Sequence, residues 1–134
     1  MQLAFLSREV SPIRRQYLAI KQQHPGAILF FQLGDFYETF EEDARTVAEV
    51  CDVALTSREM GRGERLPMAG MPVHAAETYI ARLVERGYHV ALCQQVETPA
   101  AASVRGAASV VRRQIIRVIT PGTLVDPALL SAGR

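Results

Sequence analysis

Lysine is nearly missing from this chain: Lys21 stands alone among fifteen basic residues, and the other fourteen are arginine. A loop that cradles nucleotide phosphates needs Gly-Lys-Ser/Thr after a glycine-rich run, and no such run occurs, so nucleotide hydrolysis by this chain is not expected. GxSxG and HExxH are also absent. Cysteine is limited to Cys51 and Cys93, with no CxxC and no Cys/His cluster, so a metal centre is not expected. Both lie in apolar stretches and read as buried, reduced thiols. His24, His74 and His89 are dispersed and read as ordinary structural histidines. No apolar run approaches the ~18 residues of a membrane span. Residues 1–10 include Arg8 and Glu9 and lack the layout of a secretory leader. A cytoplasmic protein is expected.

The chain has 134 residues, the size of one domain, and 49% of them are hydrophobic, enough for a packed core. The net charge of +1 argues nothing about nucleic acid, but the charge is segregated. Residues 35–52 carry seven acids (Asp35, Glu38, Glu41, Glu42, Asp43, Glu49, Asp52) against Arg45 alone. Residues 98–125 carry Arg105, Arg112, Arg113 and Arg117 and no acid. Arginine suits two-pronged contact with phosphate better than lysine does.

Ser11-Pro12, a favoured cap and first-turn pair, opens a helix over about 12–23 with Ile13, Tyr17 and Ile20 at helical spacing. Residues 27–33, AILFFQL, have strand length, Gly34-Asp35 signals a turn, and 36–40, FYETF, are strand formers: a tight hairpin. Alternation puts Phe36, Glu38 and Phe40 on one face and Tyr37 and Thr39 on the other. Glu41, Glu42 and Asp43 suit a helix N-terminus, and Ala44, Val47, Ala48 and Cys51 form its stripe. A strand is expected at 53–56 and a polar loop at 57–65. Residues 66–72, LPMAGMP, read as a constrained path and not a central strand, because of their two prolines and glycine. A helix follows at 74–86, closed by Gly87, then a strand at 88–96, a flexible loop at 97–109, a strand at 111–119 and a turn at 120–123. Alternating helices and hairpin-linked strands predict an α/β fold: a single domain with a mixed β-sheet flanked by helices.

The unusual feature is Gly34-Asp35-Phe36-Tyr37-Glu38. Read as core, the Phe36 face buries the Glu38 carboxylate, which is costly without a partner. Read as surface, it points a phenylalanine at water beside an acid. The pattern alone favours a hairpin with Phe36 in the core.

Three long segments, FFQLGDFYETFEEDA, LPMAGMPVHAAETYIARLVERGYHVALCQQVE and RVITPGTLVD, resemble in content and order the mismatch-recognition domain (domain I) of DNA mismatch-repair proteins of the MutS family. The resemblance covers roughly residues 10–130. It implies a mismatch-recognition domain over 11–124, an N-terminal arm at 1–10 and, from 125–134, the start of a linker to a connector domain. It implies mismatched double-stranded DNA as partner, with Phe36 wedged into the minor groove on the mispaired base and Glu38 hydrogen-bonded to that base. Met68 is implied to pack at the groove, and Arg58 and Arg113 to meet phosphates. For the full-length family it implies a homodimer, a MutL-type partner, and ATP with Mg in a separate ATPase domain. This chain itself is expected to be a non-enzymatic monomer without cofactor, acting at the nucleoid. The sequence departs from the family pattern at 97–112, where the loop is lengthened with small residues and Arg112 replaces an expected acid. Two other classes stay open: a protein-interaction module using the Phe36 face, and a nucleic-acid-processing enzyme using the acids at 38–43 with a divalent metal.

Overall fold

The computed structural model describes residues 10–60, 63–107 and 109–124. Residues 1–9 of the arm expected at 1–10, and the linker expected at 125–134, lie outside the described residues. A six-stranded sheet runs in the order β3-β4-β2-β1-β5-β6, with β1 at Ala27–Leu33, β2 at Phe36–Phe40, β3 at Thr56–Glu59, β4 at Arg65–Pro72, β5 at His89–Gln95 and β6 at Arg113–Ile119. β1 and β5 are parallel, and the other neighbours are antiparallel. The mixed α/β sheet expected from the pattern is present.

Helix α1 (Pro12–Lys21) begins where the Ser11 hydroxyl accepts from the Arg14 amide at 3.2 Å. It lays Tyr17 and Ile20 on one face of the sheet, against Leu29, Phe31, Phe40, Ala91 and Cys93. Helices α2 (Glu41–Cys51) and α3 (Ala76–Glu85) cover the other face, where Phe30, Tyr37, Met71 and Leu92 meet Val47, Ile80 and Leu83. Phe30 and Phe31 are successive and both fully buried, because β1 is central and each face has a helix over it. Both cysteines are free and buried, one on each side of the sheet. The three histidines are exposed.

The acids at 41–43 complement the N-terminus of α2, and Glu41 and Asp43 also hold α1 in place. Glu41 receives Arg14 at 2.6 Å, and Asp43 receives both Lys21 at 2.9 Å and the Leu29 amide at 3.0 Å. Among the described residues no three His, Cys, Asp or Glu side chains gather as metal ligands would.

Five expectations need correction. The strand expected at 53–56 begins only at Thr56, because Asp52 takes a left-handed φ of 58° at the end of α2 and the chain must turn before it can pair. Residues 57–59, expected in a loop, belong to that strand. Segment 66–72 is a paired interior strand: β4 lies between β3 and β2. Its prolines are tolerated because each stands where β4 has a neighbour on one side only, Pro67 opposite Ser57 of β3 and Pro72 opposite Phe36 of β2. The loop at 97–109 contains a short helix α4 (Pro99–Ser103) capped by Thr98. Glu97 ties this loop together, accepting two bonds from Arg105 at 2.8 and 2.7 Å and one from the Arg112 amide at 2.9 Å. Residues 120–123, expected as a turn, enter a short helix α5 at Pro121–Leu124. No helix among the described residues is long and apolar enough to cross a membrane.

Candidate nucleic-acid interface

Strand register decides which side chains share a surface. In β2 and β4 the opposed pairs are Phe36–Pro72, Glu38–Gly70 and Phe40–Met68. Across β3 and β4, Arg58 opposes Leu66 and Thr56 opposes Met68. On the far side Leu33 opposes Phe36, Phe31 opposes both Glu38 and Cys93, and Gln95 opposes Arg113. Opposed residues project to the same side, so Phe36, Glu38, Met68, Arg58 and Arg113 all lie on one face. It is the face that carries α1.

Helix α1 covers only part of that face. Phe40 is 1% exposed beneath it, packed edge-on to Tyr17 with ring centroids 5.0 Å apart. Phe36, four residues back along the same strand and on the same side, is 43% exposed. The core reading that the pattern favoured for Phe36 therefore fails, although the parity behind it holds. A single strand face passes from core to surface because the covering helix ends.

The hairpin fixes where Phe36 stands. Gly34 supplies the left-handed φ of 60° that the two-residue turn requires. The Asp35 carbonyl accepts from the Val73 amide at 2.8 Å, pinning the turn to the end of β4. Gln32 closes the other side, donating to the Gly34 carbonyl at 3.0 Å and accepting from the Gln95 amide at 2.7 Å. An open groove of about 450 Å³, lined by Gln32, Asp35, Phe36, Pro72, Val73 and His74, runs beside the exposed ring.

Glu38 is half-buried on this face. Burial raises its pKa above the ordinary glutamate value, and the nearby Arg58 charge partly offsets the rise. Met68 is half-buried and packs on the α1 core. The Arg113 guanidinium lies 4.8 Å above the Phe31 ring and donates to the Gln32 carbonyl at 2.7 Å, Gln16 at 2.7 Å and the Val111 carbonyl at 3.2 Å. Burial lowers its pKa, and the Arg58 charge adds to that. Much of its hydrogen-bonding capacity is thus used inside the protein, bracing the turn-side end of β1. Arg105, from the basic stretch at 98–125, is held by Glu97, and Arg117 pairs with Glu77 at 3.1 Å. Sequence reasoning missed the neighbours that frame Phe36 and Glu38: Leu33, Gly70 and Pro72. A glycine inside strand-like sequence was the one available signal.

The arrangement is an aromatic ring and a carboxyl two residues apart on one face of the sheet, with arginines at the margin of the same face. The family described as MutS domain I matches residues 11–128. The chain is 54% identical over 125 residues to the DNA mismatch repair protein MutS of Cereibacter sphaeroides, covering 93% of this chain and 14% of that protein. It is 53% identical over 123 residues to the protein of the same name from Dehalococcoides mccartyi, covering 92% and 14%. The counterpart from Desulforamulus reducens is 52% identical over 122 residues, covering 91% and 14%. The chain therefore spans about a seventh of the length of these relatives, and it belongs to the MutS domain I family.

Proposed function

We propose that this domain reads mispaired or unpaired bases in duplex DNA by placing the uncovered end of its α1 face in the minor groove. The observation that carries this reading is the half-exposed Phe36, on the same strand face as the buried Phe40 and beside a half-buried carboxyl. A wedge in the minor groove must unstack a base step, which costs a few kcal/mol and kinks the duplex. The cost is lowest where pairing is already poor. Stacking on the ring returns roughly 1–3 kcal/mol and tolerates any base. Phe36 therefore senses deformability more than sequence.

Glu38 hydrogen-bonds the same base. As a carboxylate it accepts from a thymine ring N–H. Toward a purine N7, itself an acceptor, it must carry a proton, and the burial that raises its pKa acts in that direction. Its charge opposes well-paired duplex, where nothing compensates for the repulsion. Met68 packs at the groove edge. Arg58 and Arg113 set the register through phosphates without reading sequence, and Arg113, already bonded internally, contributes chiefly its charge. The domain itself performs no catalysis and needs no cofactor. ATP hydrolysis with Mg, dimerisation and a MutL-type partner are proposed for a whole protein of this family, acting in the cytoplasm at the nucleoid.

The test uses a chimera in which residues 11–124 replace the matching segment of the Cereibacter sphaeroides protein, beside the 134-residue chain alone. The chimera is expected to prefer a G·T duplex over its G·C counterpart. The chain alone is expected to be monomeric and to bind weakly, micromolar at best, with a modest salt slope because it can neutralise few phosphates. Equal affinity of the chimera for the two duplexes would refute the reading and leave the protein-interaction alternative. Metal-dependent strand cleavage would favour the nuclease alternative.

A further inference from the structure

Glu38 and Gly70 are directly opposed on β2 and β4. The Glu38 side chain lies down across Gly70 instead of standing off the sheet: a Cβ placed on Gly70 collides with the Glu38 carboxyl and with the Tyr37 carbonyl oxygen. The residues two positions away on the same face of β4 are Met68 and Pro72, both bulky. A glycine inside a strand loses packing and costs backbone entropy, so this one calls for a reason beyond strand formation. We propose that Gly70 is a positioning residue for Glu38: its missing side chain forms a seat that holds the carboxyl flat against the sheet beside the Phe36 wedge, and any larger residue lifts it off. The inference rests on the reading of Glu38 as the base-contacting group and deepens it.

The seat has two consequences. A long, flexible side chain is confined before DNA arrives, so less rotamer freedom is lost on binding. The carboxyl is also kept half out of water, with Arg58 as the charged group acting on it across the same face. Lifted off the glycine, it would regain solvent.

A second explanation competes. Gly70 could be needed only so that β4 can approach the Tyr37 carbonyl. Three variants of this chain separate the two: Gly70→Ala, Glu38→Ala and the double variant. The carboxyl titration of Glu38 is followed by carbon-13 NMR in the wild type and in Gly70→Ala, and urea midpoints are compared in all four proteins. The seat predicts that Glu38 titrates at lower pH in Gly70→Ala, toward an ordinary glutamate. It also predicts that the loss of midpoint caused by Gly70→Ala shrinks when Glu38 is already alanine. An unchanged Glu38 titration, or an equal loss in both backgrounds, would overturn it and leave the Tyr37 contact as the whole reason for the glycine. Should Gly70→Ala fail to fold, the double variant decides: folded supports the seat, unfolded overturns it. None of these readouts involves DNA. If Glu38→Ala in the chimera keeps its mismatch preference, the base-reading role fails while the seat stands.

Discussion

Replacing Phe36 by alanine should separate a wedge from a core residue, and Phe40 provides the internal standard. The two rings share a strand and a face but are 43% and 1% exposed. A phenylalanine offers roughly 200 Å². With a little over half of Phe36 covered, chiefly beside Leu33 and Pro72, and with the area an alanine would still bury set aside, about 60 Å² of ring contact is lost. At ~25 cal/mol per Å² this is about 1.5 kcal/mol. Phe40→Ala empties a site enclosed by Tyr17 and Phe31 and should cost about 3–5 kcal/mol. With a urea slope of about 1–3 kcal/mol per M, Phe36→Ala should lower the midpoint by about 0.5–1.5 M, and Phe40→Ala by two to three times as much on the same slope. In the chimera, losing the stack should weaken G·T binding by about 5- to 150-fold, the equivalent of ~1–3 kcal/mol. Binding to G·C duplex should change far less. Phe36→Tyr, which keeps the ring, should retain part of the preference. If Phe36→Ala destabilises the chain as much as Phe40→Ala and the chimera still prefers the mismatch, Phe36 is a packing residue and the reading site lies elsewhere.

Glu38→Gln should stabilise the isolated chain at neutral pH. The folded-state pKa of Glu38 is raised by burial, so its contribution to stability is fully present below the unfolded pKa and is lost as pH rises through the folded value. The advantage of the glutamine variant should therefore fade on acidification to below the ordinary glutamate pKa. A stability difference that is flat across that range in thermal melts would contradict the assignment. The same substitution in the chimera should hold or raise G·C binding while lowering discrimination. Glu97 behaves in the opposite sense: hydrogen bonds from Arg105, and secondarily from the Arg112 amide, hold its pKa at about 2. Whatever stability it contributes is present above the ordinary glutamate range and is lost as pH falls through about 2. Glu97→Ala should speed amide exchange at Arg112 and through the loop at 97–112 while leaving the exchange of β1 unchanged. Unaltered exchange at Arg112 would mean that the loop is held by something other than the Glu97 clasp.

Local sequence chemistry determined the hairpin, the start of α1 and the side on which each strand residue stands. Gly34 is the residue that tolerates the turn's φ of 60°, Ser11 caps α1, and alternation from Phe36 to Phe40 follows from strand geometry alone. The three long motif segments carried the family and, through it, the candidates Phe36, Glu38, Met68, Arg58 and Arg113. Strand parity, however, says which residues share a face and not how far a covering helix reaches across it. Only the docking of α1 decided that Phe40 is core and Phe36 is surface, because that boundary depends on contacts between residues 12–21 and a strand far along the chain. The same limit applies to β4. Two prolines and a glycine argue against an interior strand until the register shows each proline where β4 is paired on one side only and the glycine under a carboxyl. It applies also to Glu97 and Arg113, whose side chains brace the loop at 97–112 and the Gln32 end of β1 through partners that sequence order does not reveal. Turns, caps and alternation are settled within a few residues of backbone. Exposure, carboxyl pKa and the use made of an arginine depend on which distant surfaces the folded chain brings together.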